Sequence, residues 1–265
     1  MNSKLLWTVV ILALAGAGAI FYNRWQANPP APPVTPMATT ELQPLPEPRT
    51  EAEILYPVAA SGTELKPLPA LGDSDGAAQE AIAGLAGAKS FMDLFYPGGI
   101  IRRVVATVDN LPREKLALRL MPVKPVAGKF VTAGEGESLA IGPDNSARYA
   151  PYVKLAEAAD AKKLVAAYVR FYPLFQQAYK DLGYPKAYFN DRLVTVIDHL
   201  LVAPEVPGVL KLTQPKVAYQ FADPKLESLS AGQKIIVRMG GENAARMKAK
   251  LREIRAELVS QAPRQ

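Results

Sequence analysis

The feature that most limits how this chain can fold is an apolar run near its N-terminus, from Leu5 to Tyr22. The run holds 18 residues without a charge. As a helix it would be about 27 Å long, close to the ~30 Å hydrocarbon core of a bilayer. Trp7 stands near one end and Trp25 beyond the other, as is typical of membrane–water interfaces. The pattern predicts a membrane anchor over residues 1–25.

A cleaved signal peptide is the alternative interpretation, because Ala15-Gly16-Ala17 and Ala17-Gly18-Ala19 both resemble cleavage sites. The apolar run continues past these alanines through Ile20-Phe21-Tyr22 without a polar break, which favours the uncleaved anchor. The short N-terminal tail and the long polar remainder favour an orientation with the N-terminus inside. We therefore expect a single-pass membrane protein with most of its chain outside, which in a bacterium is the periplasm.

Residues 26–72 separate the anchor from the rest of the chain and are rich in proline. Eleven prolines fall between positions 29 and 69. Proline fixes φ and lacks a backbone N–H, so this stretch favours extended polyproline geometry and cannot nucleate a packed unit. We expect a disordered linker that holds a globular domain, residues 73–262, away from the bilayer.

The composition excludes several kinds of site. The chain has no cysteine, which removes disulfides and thiolate ligands, and it has one histidine, His199. A single histidine without cysteine gives no reason to expect a metal site. Gly98-Gly99 and Gly240-Gly241 lack the spacing of a nucleotide-binding loop, so no cofactor is expected either.

The charge is uneven along the chain. The net charge is +6, yet the linker holds five acidic and two basic residues, so the excess positive charge lies in the domain. Such a domain suggests an anionic partner or surface. The predicted last helix, from Glu242 to about Ser260, carries five basic residues on its flanks: Arg246, Lys248, Lys250, Arg252 and Arg255. A solvated face is the simplest interpretation, and no nucleic-acid partner is expected in the periplasm.

The domain is predicted to be mainly α (α+β), with one or two small β-hairpins. Asp160 is expected to cap one helix, and Ser230 with Gln233 forms a capping box in front of another. The hairpins are expected within residues 129–141 and 209–221, where short apolar runs flank turn residues.

The segment from Tyr168 to Val206 is the most aromatic part of the chain and indicates two helices joined by a Gly-Tyr-Pro turn. Pro173 is expected to kink or split the first helix. Asn190 or Asp191 is expected to cap the second. Large side chains recur every three or four residues: Leu164, Tyr168, Phe171, Phe175, Tyr179 and Leu182. These side chains share one face of the helix. The aromatic residues of the segment could line a ligand groove, although their spacing is more typical of a core: Tyr168, Phe171, Tyr172, Phe175, Tyr179, Tyr184, Tyr188 and Phe189.

The polar side of the second helix holds the candidate site residues. Asp191 and Asp198 lie two turns apart, about 10 Å along the helix. Paired carboxylates can hydrolyse glycosides, so Asp191, Asp198 and His199 are the catalytic candidates, and Asn190 and Arg192 are the ligand-binding candidates. The competing interpretation is structural: Asp191 caps the helix, Arg192 is its ion-pair partner, and His199 forms a hydrogen bond.

Six stretches carry a resemblance to a known family: VATVDNLPR (105–113), RYAPYV (148–153), FYPLFQQAYKDLGYP (171–185), FNDRL (189–193), IDHLL (197–201) and FADPKLESLSAGQK (221–234). They resemble an uncharacterised bacterial domain-of-unknown-function family, number 3014 in that series. The resemblance implies a Gram-negative envelope protein with a membrane segment, a proline-rich spacer and then the domain. It implies no activity and no functional residues.

Together these features favour an inner-membrane protein whose periplasmic domain binds, as a scaffold in the envelope. The partner would be another envelope protein or a glycan. The alternative is an enzyme that acts on an envelope glycan such as peptidoglycan.

Overall fold

The computed structural model describes residues 54–58 and 67–261. The predicted anchor, Leu5–Tyr22, and most of the predicted linker lie outside these residues. None of the helices within them is long and apolar enough to cross a membrane.

The described part of the chain is mainly helical, as the sequence predicts. Its nine α-helices are α1 Asp75–Ala86, α2 Ala88–Leu94, α3 Ile100–Asn110, α4 Ala150–Ala158, α5 Ala161–Asp181, α6 Phe189–Leu201, α7 Pro224–Glu227, α8 Ala231–Arg238 and α9 Gly241–Ser260. Helix α5 packs against α3, α6 and α9 and lies at the centre of the bundle.

Two small antiparallel sheets confirm the predicted hairpins, but each strand is only two residues long. Their strands are β1 Thr132–Ala133, β2 Ala140–Ile141, β3 Leu212–Thr213 and β4 Gln220–Phe221. Strand β1 pairs with β2, and β3 pairs with β4. Backbone bonds from Ile141 to Leu210 and from Leu212 to Leu139 join the two hairpins side by side.

Local caps set several helix ends. Asp160 accepts the Lys163 N–H at 2.9 Å, and Ser230 and Gln233 form the expected capping box. Asp75 caps a helix other than its own, because its carboxylate accepts the N–H groups of Gly99 and Ile100 at the start of α3. This bond ties α1 to the first turn of α3.

Helix α5 runs from Ala161 to Asp181 without a break at Pro173, so the proline does not split it. Proline removes one backbone bond, whereas the buried side chains of Phe171 and Leu174 on either side hold the helix in the core. The predicted apolar face extends one residue too far, since Leu182 lies beyond the helix end and is exposed.

Two of the basic side chains of the last helix, α9, do not face solvent, which corrects the simplest interpretation of its sequence. Lys248 and Lys250 are buried. The Lys248 amine donates to the Ala203 carbonyl at 2.6 Å, and the Lys250 amine donates to the Ala159 carbonyl at 3.1 Å. Ala159 and Ala203 lie just past the C-terminal ends of α4 and α6. The two lysines therefore satisfy carbonyls that a helix end leaves unpaired.

Candidate functional site

Asn190 and Asp191 lie in the first turn of α6, and neither caps that helix as the sequence predicts. Tyr188 precedes the helix and makes no side-chain capping bond. The side chain of Gln176, on α5, instead accepts the Phe189 N–H at 2.9 Å. A side chain from another helix therefore satisfies this helix end, which leaves Asn190 and Asp191 available for other partners.

Asn190 and Asp191, here called the clamp, hold the main chain of residues 54–58, here called the strap. The two carboxylate oxygens of Asp191 accept the N–H groups of Leu55 at 3.1 Å and Tyr56 at 2.8 Å. The Asn190 amide donates to the Tyr56 carbonyl at 2.8 Å. Two neighbouring side chains thus match two donors and one acceptor of consecutive peptide units. The strap belongs to the stretch predicted as linker.

Tyr168 of α5 fixes the orientation of the Asn190 amide. Asn190 is 0% exposed, and its oxygen accepts a hydrogen bond from the Tyr168 hydroxyl at 3.1 Å. Burial raises the pKa of Tyr168 well above its ordinary value, so the hydroxyl keeps its proton and remains a donor. The amide nitrogen is therefore directed to the strap.

The strap places one aromatic ring against the interior of the domain. Tyr56 packs against an apolar cluster whose buried members are Val165, Val194, Ile197 and Leu258. The neighbouring Leu55 is 65% exposed. Recognition of this kind depends on main-chain hydrogen bonds and one pocket, as when an extended peptide is added to a domain surface.

Arg192 does not pair with Asp191, and this part of the structural interpretation is wrong. It pairs with Asp109 of α3, at 3.1 Å from the carboxylate, and donates to the Asp109 carbonyl at 2.8 Å. Arg113 contacts the second carboxylate oxygen at 2.5 Å, and the Tyr184 hydroxyl donates to that oxygen at 3.2 Å. The hydrogen bond to Asp109 raises the pKa of Arg113, so its guanidinium stays charged.

No sequence-based prediction concerned Asp109, which lies in the last turn of α3. Its side chain is only 3% exposed. A buried carboxylate needs partners for its charge, and here they come from α6 and from the loops that follow α3 and α5. The stretch 105–113, which carries part of the family resemblance, contains Asp109 and Arg113 and was the available signal.

Asp198 and His199 join α6 to two other helices. Arg255 of α9 binds both carboxylate oxygens of Asp198, one of them at 3.0 Å, and this bond raises the pKa of Arg255. The imidazole Nε2 of His199 forms a 2.8 Å hydrogen bond with the Ser230 hydroxyl. Gln233 donates to the His199 carbonyl at 3.0 Å. Both side chains thus position neighbouring helices.

The structure therefore divides the five candidate residues. It brings Asn190 and Asp191 together on the strap, and it gives Arg192, Asp198 and His199 separate protein partners. Within residues 54–58 and 67–261, no group of three or more His, Cys, Asp or Glu residues is arranged to hold a metal ion. Carboxylates bonded to peptide N–H groups or to arginine act as acceptors that position chain segments.

An apolar cavity of about 510 Å³ lies among the helices next to the clamp. Its wall includes Tyr168 and Phe189, the residues that flank the clamp in space and in sequence. Side chains from α1, α3, α4, α5, α6 and α9 contribute to it, among them Ile82, Val104, Leu155, Leu164, Leu193 and Ile254. Small-molecule binding sites have volumes of about 300–1,000 Å³, and their walls are usually apolar as well.

Small side chains on several helices leave this volume unfilled. Ala81, Ala156 and Ala167 face the cavity from α1, α4 and α5. The aromatic residues were predicted to form either a core or a ligand groove. Phe171 and Phe189 do both, since their buried rings belong to the core and also form part of the cavity wall.

Residues 100–255 match the model of a family described as "Protein of unknown function (DUF3014)". The chain belongs to this family. The DUF3014 match extends from the start of α3 into α9 and includes the clamp and the Asp109 network. The strap lies before the matched residues. No curated protein and no solved structure matches the chain.

Proposed function

We propose that the chain is a single-pass inner-membrane protein whose periplasmic domain works by binding, as a scaffold or adaptor in the bacterial envelope. The clamp carries this proposal, because Asn190 and Asp191 bind the main chain of the strap. The apolar run over residues 5–22 and the proline-rich linker support the tethered arrangement. The external partner is another envelope protein or a glycan.

Capture of the strap adjusts how far the domain stands from the bilayer. While the clamp holds residues 54–58, only the linker before residue 54 acts as a spacer. Release adds residues 54–66 to the spacer, which corresponds to about 40 Å in an extended polyproline geometry. A domain that can reach two distances from the membrane suits a scaffold that must contact a partner across the periplasm.

The alternative function, an enzyme acting on an envelope glycan, would need Asp191, Asp198 and His199 free to contact a sugar. Asp191 holds the strap and Asp198 holds Arg255. A catalytic role would therefore require both carboxylates to leave their protein partners first.

Hydrogen exchange on the full chain in lipid vesicles tests the clamp. In the wild type, the Leu55 and Tyr56 amides are expected to exchange slowly because both donate to Asp191. Asp191→Ala should speed their exchange by about 10- to 100-fold, since hydrogen bonds to a charged group are lost. Asp198→Ala is the matched control: it removes a carboxylate from the same helix and should leave the strap amides protected.

Two results would contradict the proposal. If the Leu55 and Tyr56 amides exchange freely in the wild type, the clamp does not hold the strap. If the full chain degrades purified peptidoglycan and both Asp191→Ala and Asp198→Ala abolish that activity, the enzyme is the correct function. A periplasm-active reporter fused to the C-terminus tests the orientation, and a reporter that is inactive there excludes the envelope assignment.

A further inference from the structure

We infer that the apolar cavity binds one long hydrocarbon chain, the acyl chain of a fatty acid or of a membrane lipid. This ligand site is separate from the peptide contact at the clamp and goes beyond the proposed scaffold function. Four properties of the cavity lead to the inference: the extent of its wall along two helices, its volume, its lining and the exposure of its apolar side chains.

The wall of the cavity follows two helices that pack against each other, α5 and α9. It includes Leu164 and Phe175 on α5, and Met247 and Leu258 on α9. Each pair is 11 residues apart, so the wall extends over about 16 Å of each helix axis.

The volume of the cavity suits a small ligand. It is about 510 Å³, within the range of about 300–1,000 Å³ that is typical of small-molecule sites. A linear chain of methylene groups can extend along a wall of this length.

The lining offers almost no hydrogen bonds to a polar ligand. Among the described side chains of the wall, the two hydroxyl groups are those of Tyr152 and Tyr168. The Tyr152 hydroxyl donates to the Lys124 carbonyl at 2.9 Å, and the Tyr168 hydroxyl donates to Asn190. A polar ligand would lose its bonds to water without replacement, so the wall selects a hydrocarbon.

Many large apolar side chains of the wall remain partly accessible although they lie inside the bundle. Ile82, Phe95, Leu155 and Leu164 are all only half-buried. In a close-packed interior such side chains would be covered by neighbours. All four side chains border the cavity, where an acyl chain would contact them.

Photocrosslinking on the full chain in vesicles of phosphatidylethanolamine and phosphatidylglycerol tests the inference and separates the two sources of the chain. One arm adds hexadecanoic acid with a photoactivatable diazirine at mid-chain. The other arm places the same acyl chain on a phospholipid of the vesicle. We expect saturable labelling of peptides that contain residues 164–175 or 247–258, in one arm or both, and the arm that labels identifies the source.

A matched pair of variants assigns the labelling to the cavity. Ala167 faces the cavity, whereas its neighbour Ala166 is exposed on the same helix. Ala167→Phe should reduce the labelling at least tenfold by filling the space, and Ala166→Phe should leave it unchanged. If Ala167→Phe does not fold, Ala156→Phe with its exposed control Ala158→Phe on α4 makes the same comparison.

The inference is overturned if neither arm labels these peptides saturably, or if cavity-filling variants that fold label as strongly as the wild type. Labelling confined to residues 5–22 also overturns it. Hydrogen exchange of the strap amides in the same samples reports the clamp separately. A failure of the acyl-chain site is thereby distinguished from a failure of the proposed scaffold function.

Discussion

The two ends of α5 are packed differently although both present an apolar face. At the C-terminal end, Leu174, Ala178 and Tyr179 are at most 6% exposed and belong to the main core. At the N-terminal end, Leu164 and Ala167 are half-buried and face the cavity. One helix thus serves as core at one end and as the wall of a ligand site at the other.

The difference comes from what the neighbouring elements bring to each end. Near the C-terminal end, the ring of Tyr179 stacks on Tyr184 at 4.6 Å and contacts Phe189 at 5.5 Å, so large rings fill the space. Near the N-terminal end, α1 and α4 bring alanines, such as Ala81 and Ala156. An apolar stripe therefore identifies a buried face, and the size of its neighbours decides whether that face is filled.

Truncating one leucine to alanine at each end of α5 should give the largest difference between the two ends. Leu174→Ala should lower the free energy of unfolding by about 3 kcal/mol, because it opens a new void in a filled core. Leu164→Ala should cost only about 1 kcal/mol, because that side chain already borders the cavity. Urea unfolding of the full chain measures both. Equal losses would mean that the cavity is filled by protein atoms.

Replacing an alanine by leucine at each end of α5 should also affect stability differently at the two ends. Ala178→Leu should destabilise the fold by about 1–3 kcal/mol, because three added carbon atoms must enter a packed core. Ala167→Leu should be neutral or stabilising by up to about 1 kcal/mol, because the added atoms enter the cavity. Thermal unfolding of the two variants at one protein concentration makes the comparison. A loss of similar size in Ala167→Leu would contradict an open cavity.

The features that the sequence predicts well depend on residues close together in the chain. The Asp160 cap and the Ser230–Gln233 capping box form as expected, since each bond joins residues three positions apart. The helix boundaries and the two hairpins follow from similarly local signals. The family resemblance is confirmed for the same reason, because its motifs are continuous stretches.

The features that the sequence analysis missed depend on distant partners. Asp191 was expected to cap α6, but Gln176 of α5 takes the Phe189 N–H, and Asp191 binds a strap 135 positions away. Lys248 was expected in solvent, but it bonds to the Ala203 carbonyl, 45 positions away. No spacing within one helix can indicate such bonds. The sequence places Asn190 and Asp191 correctly on a polar surface, but only the structure shows that they bind the strap.

The smallest expected effect concerns the ionisation of the tyrosines on α5. Burial raises the pKa of Tyr168 and raises that of Tyr172 to about 12, whereas an unfolded tyrosine titrates near 10. Because the folded state holds these protons to a higher pH than the unfolded state does, the stability they contribute is complete below about pH 10. It is lost as pH rises above 10, by at most about 1.4 kcal/mol per group and pH unit.

Urea unfolding of the wild type should therefore show a decline in the free energy of unfolding between about pH 10 and 11. Tyr168→Phe should make that decline shallower, because the unfolded variant has no tyrosine to ionise at this position. Identical slopes in the two proteins would show that the Tyr168 hydroxyl is open to water, which would contradict its burial against Asn190.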